Sequence, residues 1–111
     1  MPVYNLNKKN HKKIQSKLIP SNKVIIYFYS KQCPYCVMLK GLWRDIKEKY
    51  HNTDKIIIYI ERKNMIKYLD NKMHIHLVPC IQYYDKGIKK SEFLKKREYD
   101  NIIKFIEKSL N

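Results

Sequence analysis

Apolar residues recur along this chain in two rhythms. Residues 24–29 (VIIYFY) and 56–60 (IIIYI) are unbroken, β-favouring runs, the pattern of strands buried on both faces. Between them Leu39, Leu42, Trp43, Ile46 and Tyr50 return at helical spacing, behind Pro34, whose fixed φ suits a first helical turn. Residues 3–6 read as a short edge strand, and residues 7–18 as a lysine-rich helix ended before Pro20. The second buried strand lies within 54–61. A short helix is expected over 64–71 with Asn64 as its cap. Residues 80–84 and 88–93 flank Asp85-Lys86-Gly87, a hairpin signal in which glycine supplies the positive φ. Ile102, Ile103, Ile106 and Leu110 then share one side of a last helix, with Asp100 as its expected cap. The order β-α-β-α-β-α-β-β-α predicts parallel pairing at the front and antiparallel pairing at the back, hence a mixed α/β sheet.

The chain has 111 residues, and no linker or repeat divides it, so a single domain over 1–111 is expected. It carries 21 lysines and three arginines against ten acids, a net charge of +14. Alanine is absent, while Lys, Ile, Asn and Tyr make up about half of the residues. These four are favoured by AT-rich codons, so part of the charge reflects composition. No apolar run approaches the ~20 residues of a membrane span. The first residues, MPVYNLNKKN, do not read as a secretory signal. Three cysteines cannot close a disulfide framework. A reducing, cytoplasmic setting is therefore expected, where closely spaced cysteines are catalytic, redox-active or metal-binding.

Cys33-Pro34-Tyr35-Cys36 falls where a buried strand gives way to a helix. A helix N-terminus carries about half a positive charge and free amide N–H groups. At ~4 Å and an effective dielectric of ~20, that is about 2 kcal/mol in favour of a thiolate. A lysine ~7 Å away through water supplies only about 0.6 kcal/mol. The helix, not the basic surface, should therefore dominate, and Cys33 is the expected nucleophile. Cys36 lies one turn further in, placed to attack a mixed disulfide on Cys33.

The stretch VIIYFYSKQCPYCVMLKGLW resembles the active-site segment of the thioredoxin/glutaredoxin superfamily. Pro34-Tyr35 within CPYC, followed by Lys40, is glutaredoxin-like, whereas YYDKGIKK and the helix IIKFIEKSL look more like thioredoxin. Val78-Pro79 matches the place of that fold's cis-proline, before the third core strand. The resemblance implies a thioredoxin fold, a central mixed sheet of four to five strands flanked by helices. It also implies that Pro79 packs against the dithiol and that the Val78 backbone pairs with an extended substrate segment. Several family features are replaced. Tyr27 stands where many thioredoxins carry a buried Asp, Gln32 where they carry Trp, and Leu77 where glutaredoxins carry Thr. No Gly-Gly-acid motif follows the hairpin, its rough counterpart being 98–101 (EYDN).

Other residues have two readings each. Cys80 is either a small core residue or a third redox thiol. A metal site from Cys33, Cys36, Cys80 and His74 or His76 ranks below both, and the two histidines read as solvated. Tyr35 inside the motif and Lys31 ahead of it are placed to touch substrate, or are simply exposed. Trp43, Tyr27 and Tyr29 read as core. The lysine clusters at 8, 9, 12, 13 and 17 and at 86, 89, 90, 95 and 96 are solvated faces, or steer an acidic protein or anionic thiol toward the site. Nucleic acid is disfavoured, because arginines are scarce and no recognition motif appears.

The expectation is a thiol–disulfide oxidoreductase acting on protein disulfides, with catalytic Cys33 and Cys36 forming its redox-active pair. Tyr35, Val78, Pro79 and Lys31 are the expected substrate contacts. It needs no metal or prosthetic group and draws electrons from a reductase, from glutathione or from another dithiol protein. The alternatives are a glutathione-dependent glutaredoxin and a non-enzymatic basic binding module.

Overall fold

The computed structural model of the chain describes residues 3–69, 73, 75 and 77–111. Five strands, β1 (Val3–Asn5), β2 (Lys23–Tyr29), β3 (Ile56–Glu61), β4 (Cys80–Asp85) and β5 (Ile88–Glu92), form one sheet in the order β1-β3-β2-β4-β5. β1 and β2 run parallel to β3, while β4 is antiparallel to β2 and β5 to β4. The mixed five-stranded sheet flanked by helices is the architecture expected above.

The uninterrupted apolar runs follow from the two covered faces. Ile25 and Tyr27 of β2 pack with Ile57 and Tyr59 of β3 beneath α4 (Lys40–Tyr50) and α6 (Tyr99–Leu110), through Trp43, Ile46, Ile102 and Ile106. The alternate residues Val24, Ile26 and Phe28 face the opposite way, onto Leu6, Ile14, Ile19, Ile58 and Ile60. Alternation sends successive side chains to opposite faces, and here both faces are dry.

Five boundaries depart from expectation for local reasons. The first helical run begins at His11, not at Asn7, because Asn7 and Asn10 lock the preceding turn. The Asn7 Oδ1 accepts from the amides of Lys9 (2.8 Å) and Asn10 (3.0 Å), and the Asn10 Oδ1 accepts from the Asn7 amide (2.8 Å). The run also passes through Pro20. It consists of α1 (His11–Lys13), a π-helical stretch (Ile14–Leu18) and α2 (Ile19–Ser21), with Pro20 in the first turn of α2. The wider π turns before it accommodate a ring that would clash within a regular α-helix.

The helix after the dithiol is two pieces, α3 (Pro34–Met38) and α4. At Leu39 (φ −87°, ψ 0°) one amide is shared between the Tyr35 and Cys36 carbonyls, both at 3.2 Å, which tightens the turn and breaks the regular ladder. α5 (Arg62–Tyr68) springs directly from β3, so Asn64 is no cap. Its Nδ2 instead donates to the Leu6 carbonyl (3.1 Å) and ties the β1 connection to this helix. The expected end of that helix at Asn71 lies outside the described residues. Likewise Glu98, not Asp100, precedes α6. Asp100 sits inside the first turn, where a carboxylate still faces the positive helix end.

The hairpin needs two positive φ angles, Lys86 at 50° and Gly87 at 83°, which defines a two-residue type I′ turn. Gly87 takes its share without strain, whereas Lys86 is held there by its amide bond to the Asn22 carbonyl (3.0 Å).

Candidate active site

Cys33 ends the loop after β2 and occupies the N-cap of α3 (φ −82°, ψ 118°). A turn shapes the approach: the Cys33 amide donates to the Ser30 carbonyl (3.2 Å), and the Gln32 amide donates to the Ser30 hydroxyl (3.3 Å). In that position the Cys33 Sγ accepts the Cys36 backbone N–H at 3.3 Å, taking the place a Ser or Asp oxygen fills at other helix starts. On its other side the Cys33 thiol lies 3.6 Å from the Val78 carbonyl oxygen. The Val78–Pro79 peptide is cis, and Pro79 is buried.

The two thiols differ in depth and therefore in acidity. Partial burial alone would raise the Cys33 thiol. Hydrogen bonds from the Cys36 side chain and from the Cys36 and Tyr35 amides, with the Arg97 charge behind them, outweigh it and lower Cys33 below the ordinary thiol value. Cys36 is buried, and desolvation leads the effects that push its thiol up to about 11. Its hydrogen bond to the Cys33 sulfur adds to that rise. One thiol of the pair is thus set to ionise and the other to keep its proton and stabilise the first. With α3 only five residues long, the local amides and the partner thiol do this work rather than a long-helix dipole.

The remaining expected residues divide. Val78 reaches Cys33, and Pro79 bonds through its carbonyl to Arg97 Nη2 (3.3 Å). Tyr35 contributes its amide to the Cys33 sulfur while its side chain stands 67% exposed on the rim. The Lys31 ammonium lies 3.9 Å from Glu61, and Lys31 lines one cavity together with Cys36. Trp43 is core, stacked on Tyr27 with centroids 3.9 Å apart and edge-on to Tyr59, whose hydroxyl donates to the Trp43 carbonyl. Tyr27, in the place of a buried Asp, is itself pushed far above the usual phenol range, first by burial and then by Cys36 and Cys33. It offers no carboxylate to deprotonate Cys36.

Cys80 opens β4 with its sulfur accepting from Gln82 Nε2 (3.4 Å). Burial first, then Glu92, pushes its thiol up to about 11. Gln82 also donates to Glu92 (3.0 Å) and accepts from Tyr84 (2.7 Å), and Lys89 donates to Glu92 (3.1 Å). Among the described residues no group of three His, Cys, Asp or Glu side chains is arranged to hold a metal; His74 and His76 lie outside them. Arg97 escaped the sequence reading. Its one signal was being among three arginines in a chain that otherwise uses lysine.

A cap-forming cysteine, a deeper second thiol one turn on and a proline-led strand beside them define the dithiol site of a thioredoxin-type domain. The thioredoxin family model matches residues 2–108, and the chain belongs to that family. No curated protein sequence matches it. Among solved structures it is similar to the zinc-bound form of human ERp44 (TM-score 0.71, 17% identity, 95% of this chain). The chain spans 31% of that protein's length. It is also similar to oxidised thioredoxin from Plasmodium falciparum (TM-score 0.70, 16% identity, 98% of this chain and 99% of that one). Spinach chloroplast thioredoxin f gives a TM-score of 0.69 at 20% identity, over 97% and 93% of the two chains. Family, fold and the adjacent cysteines together support thiol–disulfide oxidoreductase chemistry in general. Among the described residues no helix is long and apolar enough to cross a membrane.

Proposed function

We propose that the protein exchanges thiols with protein disulfides, with Cys33 as nucleophile and Cys36 as the resolving thiol. The Cys33 thiolate attacks one sulfur of a substrate disulfide, forming a Cys33–substrate disulfide and expelling the other substrate sulfur, which takes up a proton. The Cys36 thiol then loses its proton and attacks the Cys33 sulfur. The second substrate thiol leaves, and Cys33 and Cys36 are joined. Two electrons pass from the dithiol to the substrate, and an external dithiol, reductase or glutathione restores the pair. No metal or prosthetic group enters these steps. The observation that supports this reading best is the Cys33 sulfur held by the Cys36 amide at 3.3 Å, because it favours thiolate on the more accessible cysteine.

Val78, Pro79 and Tyr35 are proposed to line the substrate's path, and the chemistry suits a reducing cytoplasmic compartment. A glutathione-linked reaction is the lesser reading, since Leu77 replaces the glutaredoxin Thr and is 80% exposed. The test is dithiothreitol-driven insulin reduction alongside a glutathione mixed-disulfide assay, with Cys33→Ser and Cys36→Ser. Loss of turnover in Cys33→Ser and accumulation of a mixed disulfide in Cys36→Ser are expected. Indifference to Cys33→Ser would instead make the domain a binding module.

A further inference from the structure

An open groove of about 680 Å³ runs along Pro79, whose neighbour Val78 touches the Cys33 sulfur through its carbonyl. Its walls combine Leu77 and Leu94, which are 80% and 84% exposed, with Lys95, Lys96 and Arg97 from the segment before α6. The charge balance in this groove is one-sided. Among the described residues its single acid, Glu92, is engaged by Lys89 at 3.1 Å, and Lys96 is held by Glu98 at 3.5 Å. Among the described residues Arg97 has no acidic partner. Its guanidinium is fixed by one bond, to the Pro79 carbonyl at 3.3 Å, which leaves most of its five donors open.

The neighbouring carbonyl, that of Val78, is the one that touches the Cys33 sulfur at 3.6 Å. Arg97 is therefore anchored one residue beyond the peptide group that touches the reacting sulfur, and its charge reaches both Cys33 and Cys36. A guanidinium so placed offers a planar, bidentate seat that a lysine cannot match.

Resting on the oxidoreductase reading, we propose that Arg97 is the specificity-determining residue of this site. It selects protein segments that carry an acidic side chain beside the disulfide cysteine and an apolar residue for the Leu77–Leu94 wall. Leu77 and Leu94 favour a protein segment as the occupant, because two exposed leucines flanking the groove match side chains that a small anion lacks. The flanking lysines would add steering toward the same acidic segments.

The test uses three peptides joined to a fluorescent thiol through a disulfide, identical except for Asp, Asn or Lys beside the cysteine. The full chain should turn over the Asp peptide with a kcat/KM about tenfold above that of the Lys peptide at low salt. The Asn peptide should fall between them, and the spread should shrink as salt is raised to about 1 M. In Arg97→Gln the spread should narrow, and in Arg97→Glu it should invert. Comparing peptides within one variant cancels any change in the reactivity of Cys33 itself. Equal kcat/KM for the three peptides in the unaltered protein, or an unchanged spread in Arg97→Glu, would overturn this assignment and leave the oxidoreductase reading standing. Failure to turn over any of the peptides would overturn that reading instead.

Discussion

Cys33 and Cys80 are two half-buried cysteines at the same end of neighbouring strands, Cys33 just beyond β2 and Cys80 at the start of β4, where it pairs with Phe28. Their chemistry is opposite. Cys33 is lowered from the ordinary thiol value, and Cys80 is raised to about 11. Burial opposes ionisation at both positions: it leads the rise at Cys80, whereas at Cys33 it is outweighed. What outweighs burial at Cys33 is its donors, two backbone amides and a thiol that converge on the sulfur, whereas at Cys80 the Glu92 charge adds to burial against a single side-chain donor, Gln82. A strand spends its amides on its neighbours, but the start of a helix leaves them free. Reactivity in this protein therefore follows backbone position together with burial, and Cys80 is placed as a quiet thiol.

The largest effect should come from exchanging the two residues' fates. Cys33→Ser is expected to drop disulfide exchange to background, while Cys80→Ser leaves insulin reduction within about twofold, since a half-buried serine is a small change. Next, iodoacetamide labelling at pH 7 followed by peptide mass analysis should find Cys33 modified far faster than Cys80. The Cys33 thiol is lowered from its ordinary value while the Cys80 thiol is pushed up to about 11, so at pH 7 thiolate is far more populated on Cys33.

A third effect concerns stability. Cys36 and Cys80 are acids whose folded-state values, each about 11, lie above the ~8.5 of a free thiol. The unfolded chain then loses these protons first as pH rises. The stability they contribute is whole below about pH 8.5 and is lost as pH climbs toward 11. Urea unfolding across that range should be less pH-dependent in Cys80→Ser than in the unaltered chain, with the tyrosine contribution common to both. Cys33 works in the other direction, adding stability above the pH at which it ionises in the fold.

Smaller effects sharpen the comparison further. Glu92→Gln removes the negative charge beside Cys80 but leaves its burial, so alkylation of Cys80 at pH 8 should rise several-fold with Cys33 unaffected. Smallest of all, Lys31→Gln breaks only a 3.9 Å contact between a 72% exposed ammonium and Glu61. It should move the urea midpoint by the equivalent of less than about 0.5 kcal/mol.

Much of this arrangement is written locally in the chain. The buried runs of β2 and β3, the hairpin at Lys86-Gly87 and the strand-to-helix position of the cysteines depend on neighbours in sequence, so pattern alone finds them. What escaped depends on partners from elsewhere or on competing local bonds. Asn64 looks like a cap until the Leu6 carbonyl, 58 positions away, claims its amide. Pro20 looks like a helix stop because the compensating π turns leave no signature in residue type. Arg97 resembles one more surface cation until the fold lays it against Pro79. The quieting of Cys80 likewise needs Glu92 from the adjacent strand, which only the β4–β5 register supplies.

The most direct measurement is a pH titration of the protein labelled with ¹³C at the cysteine Cβ atoms, followed by NMR, which resolves the three thiols separately. Cys33 should titrate first, below the ordinary thiol value, with Cys36 and Cys80 following near 11. A Cys33 signal that moves at or above that ordinary value, or one that moves after Cys80, would contradict the claim that free helix amides make this sulfur the reactive one.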